Sequence, residues 1–392
     1  MARSSQPAQA NSAAYSQGTV AAAMGGVLGS SAPATQLPAP WAQDRTALAR
    51  EEVGGKRRFV VGFLGSFVAV LAAVLAGNIL VDPFALAGSG IVPTAVEPDR
   101  SVKLDLLGHL KHGPQILILG DSRGRQAEPS FLRRLTGHTA FNAAVTGGSA
   151  PDAYVFVRSA ADRFPHQKRR YIWFTDVGLA SGTVLPQLTQ DPRARRYLRG
   201  IPRFGLGDIK TYLSTDATKA SWRVFEKCVL ATCRSYILYR PDGSLTTQSL
   251  RYLPEHAKSL RKAVAKAVAA ARVPHETLAQ WRHDLADPQR LVYLDRLLAF
   301  ANGRGEVPVL VLNPIYPSVL ATLERYGFPG RRATLEKVAQ LHKRFRFVLV
   351  DCEDIRKWGG NAYDWTNATH VNRANMRREL RYIVAHSHGA LR

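Results

Sequence analysis

Pro114-Gln-Ile-Leu-Ile-Leu-Gly-Asp-Ser-Arg-Gly124 is the stretch on which the reading of the fold turns. Its apolar run, Ile116 to Leu119, has the length of a buried strand, and Gly120 breaks it. Asp121, Ser122 and Arg123 are thereby delivered to a turn ahead of a helix. An α/β fold exposes a nucleophile in this way, because the serine leaves the end of a parallel strand and nearby backbone N–H groups face a developing oxyanion. The spacing is not the Gly-x-Ser-x-Gly elbow.

Working outward, the same pattern recurs. Asp99 to His112 carries Val102, Leu104, Leu106, Leu107 and Leu110, and reads as a helix whose apolar face covers a sheet. Glu128 to Leu135 reads as the helix after the nucleophile. Thr139 to Gly148 reads as a second short strand ending in small residues, followed by a helix over Pro151–Arg163. Further strands are expected at Tyr171–Phe174, Val307–Leu312 and Phe347–Val350, and a final helix at about 373–386. Short Val/Ile/Leu strands alternating with helices predict an α/β domain over 112–388, with a parallel sheet covered on both faces. In such sheets the site lies beyond the strand C-termini. The interval 177–305 is too long for a connection and reads as a largely helical insertion, a cap over the sheet. Its Leu260, Val264 and Val268 make one stripe flanked by Lys258, Arg261, Lys262 and Lys266, which reads as an outer helix with a solvated face or a membrane-surface helix.

Residues 1–55 are rich in Ala, Ser, Gly, Gln and Pro and read as a disordered tail. Lys56-Arg57-Arg58 then precedes Phe59–Val81, an uncharged run long enough to span a bilayer, with Asn78 as its one late polar residue. The basic cluster on its N-terminal side places the tail in the cytoplasm and residues 82–392 outside; 82–111 reads as a connector and helix. The chain carries 53 Lys+Arg against 30 Asp+Glu, a net charge of +23, which favours anionic partners. Outside a membrane these are an envelope surface, an anionic membrane or an acidic glycan rather than nucleic acid. Cys228 and Cys233 are spaced to close a small disulfide loop in an oxidising compartment, leaving Cys352 over; three packed thiols is the other reading. The eleven histidines show no zinc spacing and no Gly-rich phosphate loop is present, so neither metal nor cofactor is expected.

Near the C-terminus stands Tyr363-Asp-Trp-Thr-Asn-Ala-Thr-His-Val-Asn372. Together with Gly120-Asp121-Ser122, this block resembles the SGNH (GDSL-like) hydrolase superfamily across roughly 112–388. The resemblance implies a three-layer flavodoxin-like fold and serine esterase or acyl-transfer chemistry, with Ser122 as nucleophile and His370 as base. It is similar to the membrane-anchored extracytoplasmic members that work beside membrane-bound O-acyltransferases on envelope polysaccharide, in alginate acetylation and teichoic-acid D-alanylation. The implied setting is a single-pass protein of the bacterial inner membrane, with its main domain periplasmic.

The chain departs from the family pattern in two places. Three residues before His370 stands Asn367 instead of aspartate; Asn367 orients the imidazole, or Asp364 bends back to do so. The oxyanion donors implied are the N–H groups of Ser122 and Gly147 (or Gly148), but the expected Gly-x-Asn-Asp block is replaced by Phe174-Thr175-Asp176-Val177. Asn142 is the nearest amide able to substitute, and an ionised Asp176 would repel the oxyanion. Arg123 either binds an acidic substrate or pairs with Asp121 or Asp152. Asp176, Asn313 and Tyr316 stand at strand ends on the edge where substrate is expected. The alternative to an enzyme is a degenerate fold that binds anionic glycan or scaffolds an acyltransferase.

Overall fold

The computed structural model describes residues 40–83, 87, 99–175, 188–189, 191–198, 206–228, 239–247, 259–272 and 288–392. Its contacts divide the chain into 1–66 and 67–392. The strands form where the apolar runs stand: β1 Ile116–Gly120, β2 Ala140–Asn142, β3 Arg170–Thr175, β4 Val309–Leu312 and β5 Val348–Asp351. All four pairings are parallel and the order is β2-β1-β3-β4-β5. The direction of winding reverses between β1 and β3, so a crevice opens beyond their C-terminal ends.

Each strand alternates its side chains between two cores. Leu117, Leu119, Tyr171, Trp173, Leu310 and Leu312 face one layer, with Leu104 and Leu107 of α2 (Asp99–His109), α4 (Ala150–Arg163) and the helix Pro288–Gly303. Ile116, Ile118, Ile172, Phe174, Val309 and Val311 face the other, with Phe131 and Leu132 of α3 (Pro129–Thr136) and Met376, Leu380 and Ile383 of the final helix, Arg373–Ala385. Each such side chain contributes about 1.5–3 kcal/mol on burial, which is why both-face burial demands uninterrupted apolar strands.

The N-terminal helix, α1, runs over Pro40–Val81. It therefore begins inside the stretch read as a disordered tail; Ala47 to Glu52, with Ala, Leu, Arg and Glu, is a run of helix formers. Residues 1–39 lie outside the described residues. Lys56–Val81 is long and apolar enough to cross a membrane, and Phe59, Phe63 and Phe67 are exposed along it. At its C-terminal end Asn78 is buried, and its amide donates to the Tyr212 carbonyl at 2.7 Å and to Thr218 Oγ1 at 3.1 Å.

The described parts of the insertion are mostly helical, including Leu206–Tyr212, Thr215–Cys228 and Leu260–Ala271. The Leu260, Val264 and Val268 stripe is half-buried and that helix packs on Pro317–Arg325, while Arg261, Lys262 and Lys266 are exposed. That is an outer helix with its basic face exposed. Cys233 and the Cys228 side chain, and with them the expected bridge, lie outside the described residues; Cys352 is a buried free thiol.

Candidate active site

The site begins where β1 ends. Gly120 sits at φ +130°, and a Cβ there would come within 2.3 Å of the Phe174 carbonyl oxygen. Only glycine lets β1 turn so close to β3, and the turn presents Ser122 at the crevice. A three-residue 3₁₀ turn, Gly124–Gln126, separates Ser122 from α3, so the donors around Ser122 come from turns and not from the start of an α-helix.

His370 arrives from the other end of the chain on a tight turn closed by the Trp365–Val371 bridge and a Thr366 N–H bond to the His370 carbonyl at 2.8 Å. Its Nε2 lies 2.7 Å from Ser122 Oγ. Its Nδ1 lies 3.0 Å from Asn367 Oδ1 and 3.0 Å from Thr369 Oγ1. The same Oδ1 accepts the backbone N–H groups of Thr369 at 2.8 Å and His370 at 2.9 Å. Two backbone donors fix that atom as oxygen, so Nδ1 carries the proton and Nε2 is left to accept from Ser122.

Asp364 is the correction to the pair left open by the sequence. Its carboxylate accepts from Arg378 Nη1 at 2.6 Å and Asn372 Nδ2 at 3.1 Å, and these partners hold it below the usual carboxylate range. The Trp365–Val371 bridge points Asn367 at the ring and leaves Asp364 to the final helix. Asn372 caps that helix through Ala374 and Asn375.

Asn142 is a second correction. It is fully buried, its Nδ2 donates to the carbonyls of Gly124 and Ala127 at 3.1 and 2.7 Å, and its Oδ1 accepts from Ala144 N at 3.0 Å. It laces the loop after Ser122 to β2 and has no amide hydrogen aimed at the crevice. The segment 145–148 is drawn in by backbone: Val145 N–H donates to the Gly120 carbonyl at 3.0 Å, and a Cβ on Gly148 would lie 2.2 Å from that oxygen. Gly148 N–H is taken by the Val145 carbonyl, whereas among the described residues the N–H groups of Ser122 and Gly147 meet no acceptor.

What holds this turn is a cluster that the leucine pattern of α2 did not announce. Asp99, Arg100 and Lys103 are all fully buried. Asp99 accepts from Thr146 N at 2.6 Å; Arg100 donates to the Thr146 carbonyl at 2.9 Å and to Asp152 at 2.7 Å; Lys103 donates to the Ala144 carbonyl at 2.6 Å. Burial alone would lower Arg100, but Asp152 and Asp99 outweigh it and keep the guanidinium charged. Asp152 is thus Arg100's partner, and Arg123 pairs with Asp121 at 2.9 Å through Nε.

Arg125 is a site residue that carries no signature in the sequence. Its side chain is buried and reaches Thr146 Oγ1 and, at 3.4 Å, the Tyr239 hydroxyl, which the insertion brings in. Burial pushes the His370 imidazole down to about 3, with Arg123 and Arg125 adding repulsion. Of the remaining candidates, Asn313 is buried at the end of β4 with no partner for either amide atom among the described residues, and Tyr316 packs edge-on against Trp365 at 5.3 Å. Asp176 lies outside the described residues. Among the described residues no group of His, Cys, Asp and Glu converges as a metal site.

No family model matches the chain, and a search of curated proteins gives no match either.

Proposed function

We propose that this protein is a membrane-anchored serine esterase or O-acyltransferase of the SGNH type, acting outside the bacterial inner membrane on acyl groups, acetyl foremost, of an envelope polysaccharide. The observation that carries the reading is the 2.7 Å contact between Ser122 Oγ and His370 Nε2, made by residues from opposite ends of the domain. Ser122 Oγ attacks the ester carbonyl as its proton passes to Nε2, and the imidazolium is oriented through Nδ1–H to Asn367 Oδ1. The free N–H groups of Ser122 and Gly147 are the oxyanion donors. Collapse of the intermediate returns the proton to the leaving sugar oxygen and leaves an acyl-serine, which water or a second hydroxyl relieves. The flavodoxin-like strand order fits the SGNH resemblance.

An acidic glycan is favoured as substrate by charge and by a cleft of about 450 Å³ lined by Tyr154, Arg158, Arg196, Tyr197 and Arg296. Two of the three guanidiniums there meet Asp162, at 3.9 Å from Arg158 and 3.6 Å from Arg196. A membrane-bound O-acyltransferase is the partner this reading expects.

The second reading, a fold that binds glycan without turning it over, draws on the neutral Asn367 and on Asn142 being tied to backbone. Covalent labelling of the full chain in detergent with a fluorophosphonate separates the two. Labelling lost in both Ser122→Ala and His370→Ala is the expected result; a folded wild type that never labels supports the second reading.

A further inference from the structure

The helix Thr215–Cys228 sits at the C-terminal end of the apolar helix, and two observations say what it rests on. The first is depth. Asn78 lies three residues before the end of α1, about 5 Å along the axis at 1.5 Å per residue. An amide there is costly in hydrocarbon unless both hydrogens are used. Both are used by the insertion, on the Tyr212 carbonyl and Thr218 Oγ1, and Tyr212 Oη reaches Asp82 and accepts from Ala87 N at 2.7 Å. Where α1 spans a bilayer, Thr218 is therefore held at the level where that span ends.

The second observation is the face. Thr218, Trp222 and Phe225 stand at i, i+4 and i+7, within about 60° of one another around the helix. Ala217, Ser221 and Val224 occupy the neighbouring face and are buried against the protein. Trp222 and Phe225 are not covered: they are 61% and 40% exposed, and their rings stack at 5.8 Å. Leu213, just before the helix, is 39% exposed as well. Next around the helix come Glu226, which accepts from Trp222 Nε1 at 2.7 Å, and then Lys219 and Arg223, all exposed. The aromatic stripe thus starts at the residue that grips the membrane helix, with Lys219 and Arg223 beyond Glu226 at its side.

We propose that the helix Thr215–Cys228 lies in the membrane–water interface, with Trp222 and Phe225 inserted at headgroup level and Lys219 and Arg223 reaching anionic headgroups. The occupant is the lipid bilayer and not a protein, because the Asn78 hydrogen bonds to Tyr212 and Thr218 already set this face at bilayer height. Trp with flanking basic residues is the combination such an interface takes. The helix then fixes the tilt of the outer domain on the membrane, independently of any chemistry at Ser122. It goes beyond the proposed esterase reading and does not rest on it.

The test uses the full chain in nanodiscs of phosphatidylcholine and phosphatidylglycerol, at one chain per disc. Trp222 emission is obtained as the difference between wild type and Trp222→Phe. Expected is a blue-shifted component, quenched at least threefold more by nitroxide lipids labelled near the headgroup than by aqueous iodide, with the ratio reduced in discs lacking phosphatidylglycerol. Quenching by iodide and not by nitroxide lipids overturns the proposal. Shielding from both means protein covers the face, and it overturns the proposal equally. Because Phe keeps the helix's apolar face, a fold change is not expected. Deuterium exchange of 215–228 tests the same contact without a substitution: slower exchange in discs than in detergent is expected, and equal exchange counts against it.

Discussion

Asn367→Asp puts a carboxylate where the site has a neutral acceptor, and the structure says what that does. The substitution keeps Oδ1, which holds Thr369 N, His370 N and His370 Nδ1 at 2.8, 2.9 and 3.0 Å. It adds one negative charge about 4 Å from the centre of the imidazolium. At an effective dielectric constant of about 20 the attraction is about 4 kcal/mol, or about three pKa units. The imidazole, which burial and then Arg123 and Arg125 hold down to about 3, moves to about 6. A stronger base takes the Ser122 proton more readily, and with about half the shift expressed in rate the gain near neutral pH is roughly 30-fold. The assay is the fluorophosphonate labelling rate from pH 4 to 8. Wild type keeps its rate down to pH 5, while Asn367→Asp labels faster at pH 7 and loses rate below about 6. Asp364→Asn is the control, and its pH profile matches wild type. An unshifted acid limb in a folded Asn367→Asp, or a shifted one in Asp364→Asn, would falsify the assignment of Asn367 as the orienting residue.

Glu379 is fully buried, neither of its oxygens has a partner among the described residues, and burial raises it to about 8, relieved only in part by Arg123. The folded chain therefore keeps a proton that the unfolded chain releases above about 4.5, so stability falls as pH rises from there toward 8, by roughly 3 kcal/mol at pH 7. Glu379→Gln removes this loss: its Tm advantage over wild type grows between pH 5 and 8, and an advantage independent of pH refutes the assignment. Asp99→Ala strands the buried Thr146 N–H, worth about 1–3 kcal/mol. Labelling of Ser122 then drops about tenfold or more, whereas Asp99→Asn, which keeps an acceptor, holds most of it; equal losses in both argue against the clamp. In Gly148→Ala the Cβ meets the Gly120 oxygen at 2.2 Å, so backbone must shift, and denaturant melts show a loss of at least about 2 kcal/mol. Arg158→Gln with Arg296→Gln weakens binding of an oligouronate, read by calorimetry, and leaves the labelling rate unchanged; undiminished binding rules out that cleft.

The sheet was legible in the sequence because parallel strands buried on both faces have no choice but to be apolar runs: β1, β3, β4 and β5 stand within two residues of those runs, while β2 keeps only Ala140–Asn142 of the expected Thr139–Gly148. Ser122 and His370 were legible because each stands just beyond such a run or just before a helix. What decides between Asn367 and Asp364 is a local bridge, Trp365 to Val371, and nothing in residue type reveals which way a seven-residue turn faces. Asn142 was open to misreading because its partners are carbonyls 15 to 18 residues away, which carry no sequence signature. In α2 the leucines account for the apolar face but not for Asp99, Arg100 and Lys103, whose charges are met by groups arriving from the 142–152 segment. Arg125 had the plain look of a surface arginine.

The neutral Asn367 and the two arginines belong to one electrostatic argument. In the acid–base–nucleophile triad a carboxylate stabilises the imidazolium that forms when serine loses its proton. Among the described residues no carboxylate meets His370 here, and Arg123 and Arg125 oppose its protonation. Left alone, that is a dyad reluctant to ionise. The tetrahedral intermediate brings its own negative charge, however, and the cations that disfavour imidazolium favour an oxyanion. On the proposed reading, the loss of the usual asparagine donor and the loss of the usual aspartate are linked: a positive site surrenders ground-state basicity at His370 and gains attraction for charge that exists only at the reacting carbon. An acidic glycan adds a second source of negative charge, which lifts His370 once substrate is bound. On that reading such a site favours anionic acceptors over neutral esters and water.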